Sequence, residues 1–305
     1  MRGPLPGGPL AEVPEGLRRT MAEIGPVWGR DIQKHRDIVL AAYLPLQQAA
    51  PKGGIEVVRN VPYGRHPRQV ADIYRPASAA GAPVLIFVHG GAFVRGDRDL
   101  NDEVYGNVLR YFARNGYVGV NMEYRLAPEA AFPAGAEDVG LAIAWAAKSI
   151  AAHGGDPQRI FLVGHSAGGT HAASWVFDER VRAGRPAGIV AQALISARLR
   201  ADAAPENPNA QAVRAYFGAD ESRYEERSPV THGAASSVPT LIAVAQFENP
   251  LLDVYGAELF HRMCAAGRTP RFVQMVRHNH ISIVAHFNTG EDILGAAIVD
   301  FFDGR

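Results

Sequence analysis

Gly164-His165-Ser166-Ala167-Gly168 sets a hydroxyl among small residues, directly after the apolar run Ile160-Phe161-Leu162-Val163. That order predicts a buried strand, a tight turn carrying the serine, and then a helix. A serine hydroxyl is a weak nucleophile by itself. It needs a base to take its proton, an anion to orient that base, and donors for the oxygen that turns negative when a carbonyl is attacked. Gly164 and Gly168, with Ala167 and Gly169, leave the room such a strained turn requires. The helix that follows points its positive end at the hydroxyl.

The donors have a candidate upstream. Val84-Leu85-Ile86-Phe87-Val88 reads as another buried strand, and His89-Gly90-Gly91-Ala92-Phe93 follows at once. Backbone N–H groups of Gly90, Gly91 and Ala167 could converge on one oxygen, and losing one such donor costs about 3–4 kcal/mol in a barrier. His89 reads as a structural residue that holds this loop by hydrogen bonds. It precedes the serine, whereas the α/β-hydrolase order is serine, acid, histidine.

These segments match a family. His89-Gly90-Gly91-Ala92-Phe93, Tyr124-Arg125-Leu126-Ala127-Pro128-Glu129, Phe132-Pro133-Ala134, Glu137-Asp138 and Gly164-His165-Ser166-Ala167-Gly168-Gly169 resemble the hormone-sensitive-lipase-like esterases, over about residues 55–302. The resemblance implies a serine carboxylesterase acting on a small-molecule ester, with no metal and no organic cofactor. Tyr63-Gly64 and His66-Pro67-Arg68-Gln69, leading into Asp72-Ile73-Tyr74, also resemble the arylformamidase (kynurenine formamidase) branch, which implies a formamide substrate as the alternative. Tyr124 to Glu129 and Asp138 read as scaffold beneath the site. A third reading is a non-catalytic small-molecule receptor on the same scaffold. It predicts a missing triad member, and none is missing by residue type.

Similar esterases carry Asp-Pro-Leu after the strand Thr240–Gln246, but here Phe247-Glu248-Asn249-Pro250-Leu251-Leu252-Asp253 follows. Aligned on Pro-Leu, the acid position becomes Asn249, which carries no charge. Aligned on the strand end, the acid is Glu248, which supplies the anion that an imidazolium needs. Asp253, one helical turn on, is the reserve. His278, His280 and His286 all follow the strand Arg271–Val276 and are candidate bases. His280-Ile281-Ser282 best fits the context of the resembling families, with His278 second. His278 and His280 have no Cys or carboxylate cluster beside them to make a metal site. Phe93, His165 and Phe217 are the candidate substrate contacts; Trp28, Tyr43, Tyr216 and Phe247 could equally line a pocket or pack in the core.

The elements that must position these residues read as an α/β fold, with a mostly parallel sheet covered by helices on both faces and a helical cap. Predicted strands are Ile55–Arg59, Gln69–Tyr74, Val84–Val88, Tyr117–Met122, Ile160–Gly164, Ile189–Ile195, Thr240–Gln246 and Arg271–Val276. Predicted helices include Asp102–Arg114, Ala136–Ile150, Gly168–Val181, Pro250–Ala266 and Asp292–Phe302, with Pro250 in a first turn. Residues 12–50 look helical and 197–236 irregular. Both are expected to lie as cap elements over the carboxyl ends of the strands, within a single domain spanning 11–305. Residues 1–10, rich in proline and glycine, are expected to form a flexible leader rather than a signal peptide.

Composition bounds the partners. The 305 residues carry 31 basic and 31 acidic side chains, so a zero formal charge favours neither nucleic acid nor an anionic membrane. No apolar run is long enough to span a bilayer. The single cysteine, Cys264, excludes an internal disulfide and reads as a buried, inert thiol; a cytoplasmic residence fits. Oligomeric state is not written in the sequence; a homodimer is compatible with it.

Overall fold

The computed structural model describes residues 10–101 and 103–304. The expected leader falls almost wholly outside these residues. Eight strands form one sheet in the order β1-β2-β4-β3-β5-β6-β7-β8. They are β1 Ile55–Pro62, β2 Val70–Pro76, β3 Ala82–Val88, β4 Val118–Met122, β5 Gly155–His165, β6 Ala191–Ile195, β7 Thr240–Phe247 and β8 Arg271–Asn279. β2 pairs antiparallel with both β1 and β4, and every other pairing is parallel. This is the α/β-hydrolase architecture expected from the sequence. The continuous apolar runs are the central strands, buried on both faces: Val84 to Val88 are wholly inaccessible.

Two core layers flank the sheet. One, centred on Leu85, Phe87, Phe161 and Val163, packs against α1 (Glu15–Ile24), α2 (Ile32–Ala49), α3 (Gly106–Arg114) and the C-terminal helix Leu294–Asp303. The other, centred on Ile86, Val88 and Leu162, packs against α4 (Ala134–Ser149), α5 (Ala167–Phe177) and the helix Leu252–Ala265. Alternate residues of one strand thus feed opposite layers, as the period of two requires.

Several helix boundaries move for local reasons. The helix predicted over 102–114 begins at Gly106; Asn101 Oδ1 instead accepts from the N–H groups of Glu103 and Val104, a side-chain turn that delays it. The helix predicted over 168–181 stops at Phe177, where Asp178 turns extended and caps a separate single turn, Glu179–Arg182. Pro250 is not in a helical first turn: Leu251 is left-handed at φ 65°, and the helix starts at Leu252. Cys264 is exposed on that helix, not buried. The 197–236 segment is less irregular than its composition suggests. It contains the helix Ala210–Phe217 and single turns at Tyr224–Arg227 and Pro229–His232.

Strand register brings the chemistry-bearing residues together. Val88 pairs with Gly164, so the His89-Gly90-Gly91 loop and the serine turn leave neighbouring strands side by side. Phe247 pairs with Asn279, so Glu248 and His280 are each the next residue along.

Candidate active site

Ser166 sits between β5 and α5 at φ 55°, ψ −122°, a strained conformation for any residue but glycine. The close packing around it explains the flanking glycines. A Cβ on Gly164 would lie 2.6 Å from Gly168 O, and one on Gly168 would lie 2.1 Å from Val88 O. The turn is pinned where Ser166 N–H donates to Ile195 O at 2.9 Å.

The Ser166 hydroxyl lies 3.0 Å from His280 Nε2. On the other side of that ring, Nδ1 lies 2.8 Å from Glu248 Oε2. Glu248 Oε1 accepts from Ala245 N–H at 2.8 Å and from the Ser196 hydroxyl. The carboxylate is therefore buried, fixed through both oxygens, and aimed at one imidazole nitrogen. Asn279 shapes the loop: its Oδ1 accepts from Ile281 and Ser282 N–H at 3.1 and 2.9 Å. His280 N–H donates to Phe247 O at 3.2 Å.

The other candidates lie elsewhere. Both nitrogens of the His280 ring are taken by Ser166 and Glu248, which leaves none for Asp253 in the first turn of the next helix. His278 faces Ser282 Oγ and Glu291, both at 3.1 Å, and borders a separate cavity of about 880 Å³ between α1 and the end of β8. His286 is wholly buried, and burial, aided by His278, pushes it down to about 3. Asn249 is no bystander. Its Oδ1 accepts from Trp28 Nε1 at 2.9 Å, tying the turn Gly25–Arg30 to the Glu248 loop.

The glycine loop approaches the serine closely. A Cβ on Gly90 would stand 3.1 Å from Ser166 Cβ, and one on Gly91 would strike Arg95 O at 1.8 Å. His89 underpins the loop, with Nδ1 2.6 Å from Gly90 O and Nε2 2.7 Å from Glu123 Oε1. Burial pushes the Glu123 carboxyl up, but His89 and Arg68 together hold it below the usual carboxylate range. Asp138 is scaffold of the same kind: it accepts from Gln69 Nε2 at 2.7 Å and from Arg125 N–H at 2.8 Å.

His165, expected against substrate, has a further contact. Its Nε2 lies 3.0 Å from His280 O, so that nitrogen carries the proton and donates. Its Nδ1 then accepts from the Tyr105 hydroxyl, 3.3 Å away. Burial and the neighbouring His280 push His165 well below the usual histidine range, so the ring stays neutral. Tyr105 and Ser196 were not legible in the sequence; neither sits in a motif.

Ser166, His280, Gly90, Gly91 and His165 open into one cavity of about 520 Å³. Trp28, Ile32 and Arg36 wall it from the 12–50 segment, and Pro208 and Asn209 from the 197–236 segment. Ala167 and Phe93 border a small crevice beside Ser166. Phe93 stacks on Tyr216 at 4.7 Å and meets Phe217 edge-on at 5.4 Å. Phe217 is wholly buried behind it and reaches neither opening, so it packs rather than lines. Among the described residues no cluster of three His, Cys, Asp or Glu could hold a metal, and no helix is long and apolar enough to cross a membrane.

The family described as BD-FAE matches residues 71–179. The chain is 36% identical over 129 residues to the probable isoprenylcysteine alpha-carbonyl methylesterase ICMEL1 of Oryza sativa subsp. japonica, covering 42% of this chain and 29% of that one. It is 33% identical over 198 residues to Esterase LipI of Mycobacterium tuberculosis, covering 59% and 61%. It thus spans less than two thirds of these relatives' length. Among solved structures, inhibited Esterase B from Lactobacillus rhamnosis superposes with a TM-score of 0.73 at 20% identity, over 94% of this chain and 96% of that one. The chain thus shares the α/β-hydrolase fold of these esterases and is similar to them in sequence over part of its length.

Proposed function

We propose that the protein is a serine carboxylesterase acting on small esters through an acyl-enzyme. The observation that carries this is the continuous hydrogen-bonded line Ser166 Oγ–His280 Nε2, His280 Nδ1–Glu248 Oε2, at 3.0 and 2.8 Å. In this reading His280 takes the proton as Ser166 Oγ bonds to the ester carbon. The carbonyl oxygen turns negative against the N–H groups of Gly90, Gly91 and Ala167. As the C–O bond to the alcohol breaks, His280 returns the proton to the leaving oxygen. Water then attacks the acyl-enzyme by the same route, giving the acid and free Ser166. Glu248 accepts from Nδ1 and so holds His280 in the tautomer that faces Ser166. No step calls on a metal or organic cofactor. The 12–50 and 197–236 segments act as the cap in this reading, since both wall the cavity that opens at Ser166.

The test is turnover by the purified protein of p-nitrophenyl acetate, butyrate and octanoate, beside N-formylkynurenine. Hydrolysis of the short esters is the expected result. Hydrolysis of the formamide alone would move the reading to an arylformamidase.

A further inference from the structure

We propose that the cleft at Ser166 is built for esters that carry a carboxylate remote from the scissile bond, with Arg36 and Arg95 as its counter-charges. This rests on the esterase reading and names the substrate class for it. Both arginines line the cavity that holds Ser166 and His280, and they come from different walls. Arg36 comes from α2. Arg95 follows the Gly90-Gly91 loop and reaches the 197–236 segment.

What singles them out is their partners. Arg36 Nη1 donates to Gln33 Oε1 at 3.3 Å, and Arg95 Nη2 donates to Asn209 Oδ1 at 3.2 Å. Both acceptors are neutral amides, and no carboxylate lies within ion-pair distance of either arginine among the described residues. Other arginines near the sheet and the cavity walls are neutralised: Arg68 by Glu123, Arg98 by Asp72, Arg125 by Asp138 and Arg200 by Glu258. Arg36 is half-buried, and its charge acts on Tyr105, which lines the same cavity. Burial pushes the Tyr105 hydroxyl up to about 12, while Arg36 pulls it the other way.

Two carboxylates also border the cavity, Asp97 and Asp99. Asp97 Oδ1 accepts from the Asp99 N–H at 3.1 Å, within its own loop. The Asp99 charge acts on Arg59 and Tyr74, on the β1–β2 side. Neither meets Arg36 or Arg95. A guanidinium offers a planar fork of donors that fits a carboxylate far better than a neutral amide oxygen. A carboxylate on the substrate would supply the missing anion.

The experiment compares two esters of equal chain length, p-nitrophenyl hexanoate and mono-p-nitrophenyl adipate. It measures kcat/KM for the wild type, Arg36→Gln and Arg95→Gln, at low and high salt. The expected result is a preference for the adipate of about 10- to 100-fold, the scale of a charged hydrogen bond, expressed mainly in KM. That ratio should fall toward one in each variant and with salt. Equal or better use of hexanoate, or a ratio that neither substitution moves, would overturn the proposal. If neither ester turns over, it is the esterase reading that fails. Calorimetric binding of adipamate against hexanamide then decides the charge claim independently. Adipamate should bind at least about 10-fold tighter and lose that margin in Arg36→Gln; equal binding would overturn it.

Discussion

Trp28 Nε1 donates to Asn249 Oδ1 at 2.9 Å, so the turn Gly25–Arg30 hangs on the residue beside the candidate triad acid. Both residues are buried and both line the cavity at Ser166. Phe247 closes the same joint, because a Cβ on Gly25 would stand 2.3 Å from its ring. Asn249→Ala removes the acceptor and frees the indole. KM for a short ester should rise several-fold while kcat stays within a few-fold, and Asn249→Asp, which keeps an acceptor, should recover most of the loss. A collapse of kcat in Asn249→Ala would mean that the loop itself depends on this amide.

Among the described residues, Glu248 is the only carboxylate hydrogen-bonded to the His280 ring. Glu248→Gln should lower kcat by up to about 10⁴-fold, the scale seen when a triad histidine loses its anion. Asp253→Asn should leave kcat near the wild-type value. His280→Ala should be nearly inactive, and His278→Ala should keep most activity, since His278 is turned toward Ser282 and Glu291. Steady-state kinetics on the four variants checks the assignment. The reverse pattern in either pair would transfer the role.

His165 bonds to the backbone of His280 through Nε2 at 3.0 Å. His165→Leu should lower kcat by about 10- to 100-fold with little change in KM, the cost of an interaction that positions the base. His165→Gln, which can still present an N–H to the His280 carbonyl, should recover much of it. Equal losses in both variants would reduce His165 to a packing residue.

Three buried histidines, His165, His171 and His286, are all pushed below their usual range by burial, the last two to about 3. Their neutral form belongs to the folded state. Below about pH 6.5 the unfolded chain takes up protons that the folded chain refuses. The stability they contribute is thus complete above that pH and is lost as pH falls toward the folded values. Each histidine adds a slope of about 1.4 kcal/mol per pH unit in that window. Denaturant melts between pH 7 and 4 should show a steep loss, and His171→Asn should flatten it. A pH-independent midpoint across that range would contradict the burial of these rings.

The sheet was legible because each central strand is an unbroken apolar run, and the serine turn because its glycines are forced by contacts with adjacent chain. Glu248 was legible as an anion at a strand end. What escaped was long-range. Nothing local to Tyr105 or Ser196 announces that one will meet His165 and the other Glu248, because tertiary packing of the loop before α3 and the adjacency of β6 and β7 bring them there. The late start of α3 turned on a single Asn101 side chain. Phe217 looked like lining by residue type, but Phe93 and Tyr216 stand in front of it.

Everything proposed for this site depends on Ser166 being the nucleophile of acyl transfer. Reaction with a p-nitrophenyl alkylphosphonate tests it most directly, with nitrophenol release and the labelled peptide read together by absorbance and mass spectrometry. The expected result is one equivalent of nitrophenol per chain, the adduct on Ser166, loss of ester turnover in step with labelling, and no labelling of Ser166→Ala, whose kcat falls at least about 10³-fold. An adduct on another residue, or a Ser166→Ala protein that still turns over ester at a comparable rate, would contradict it.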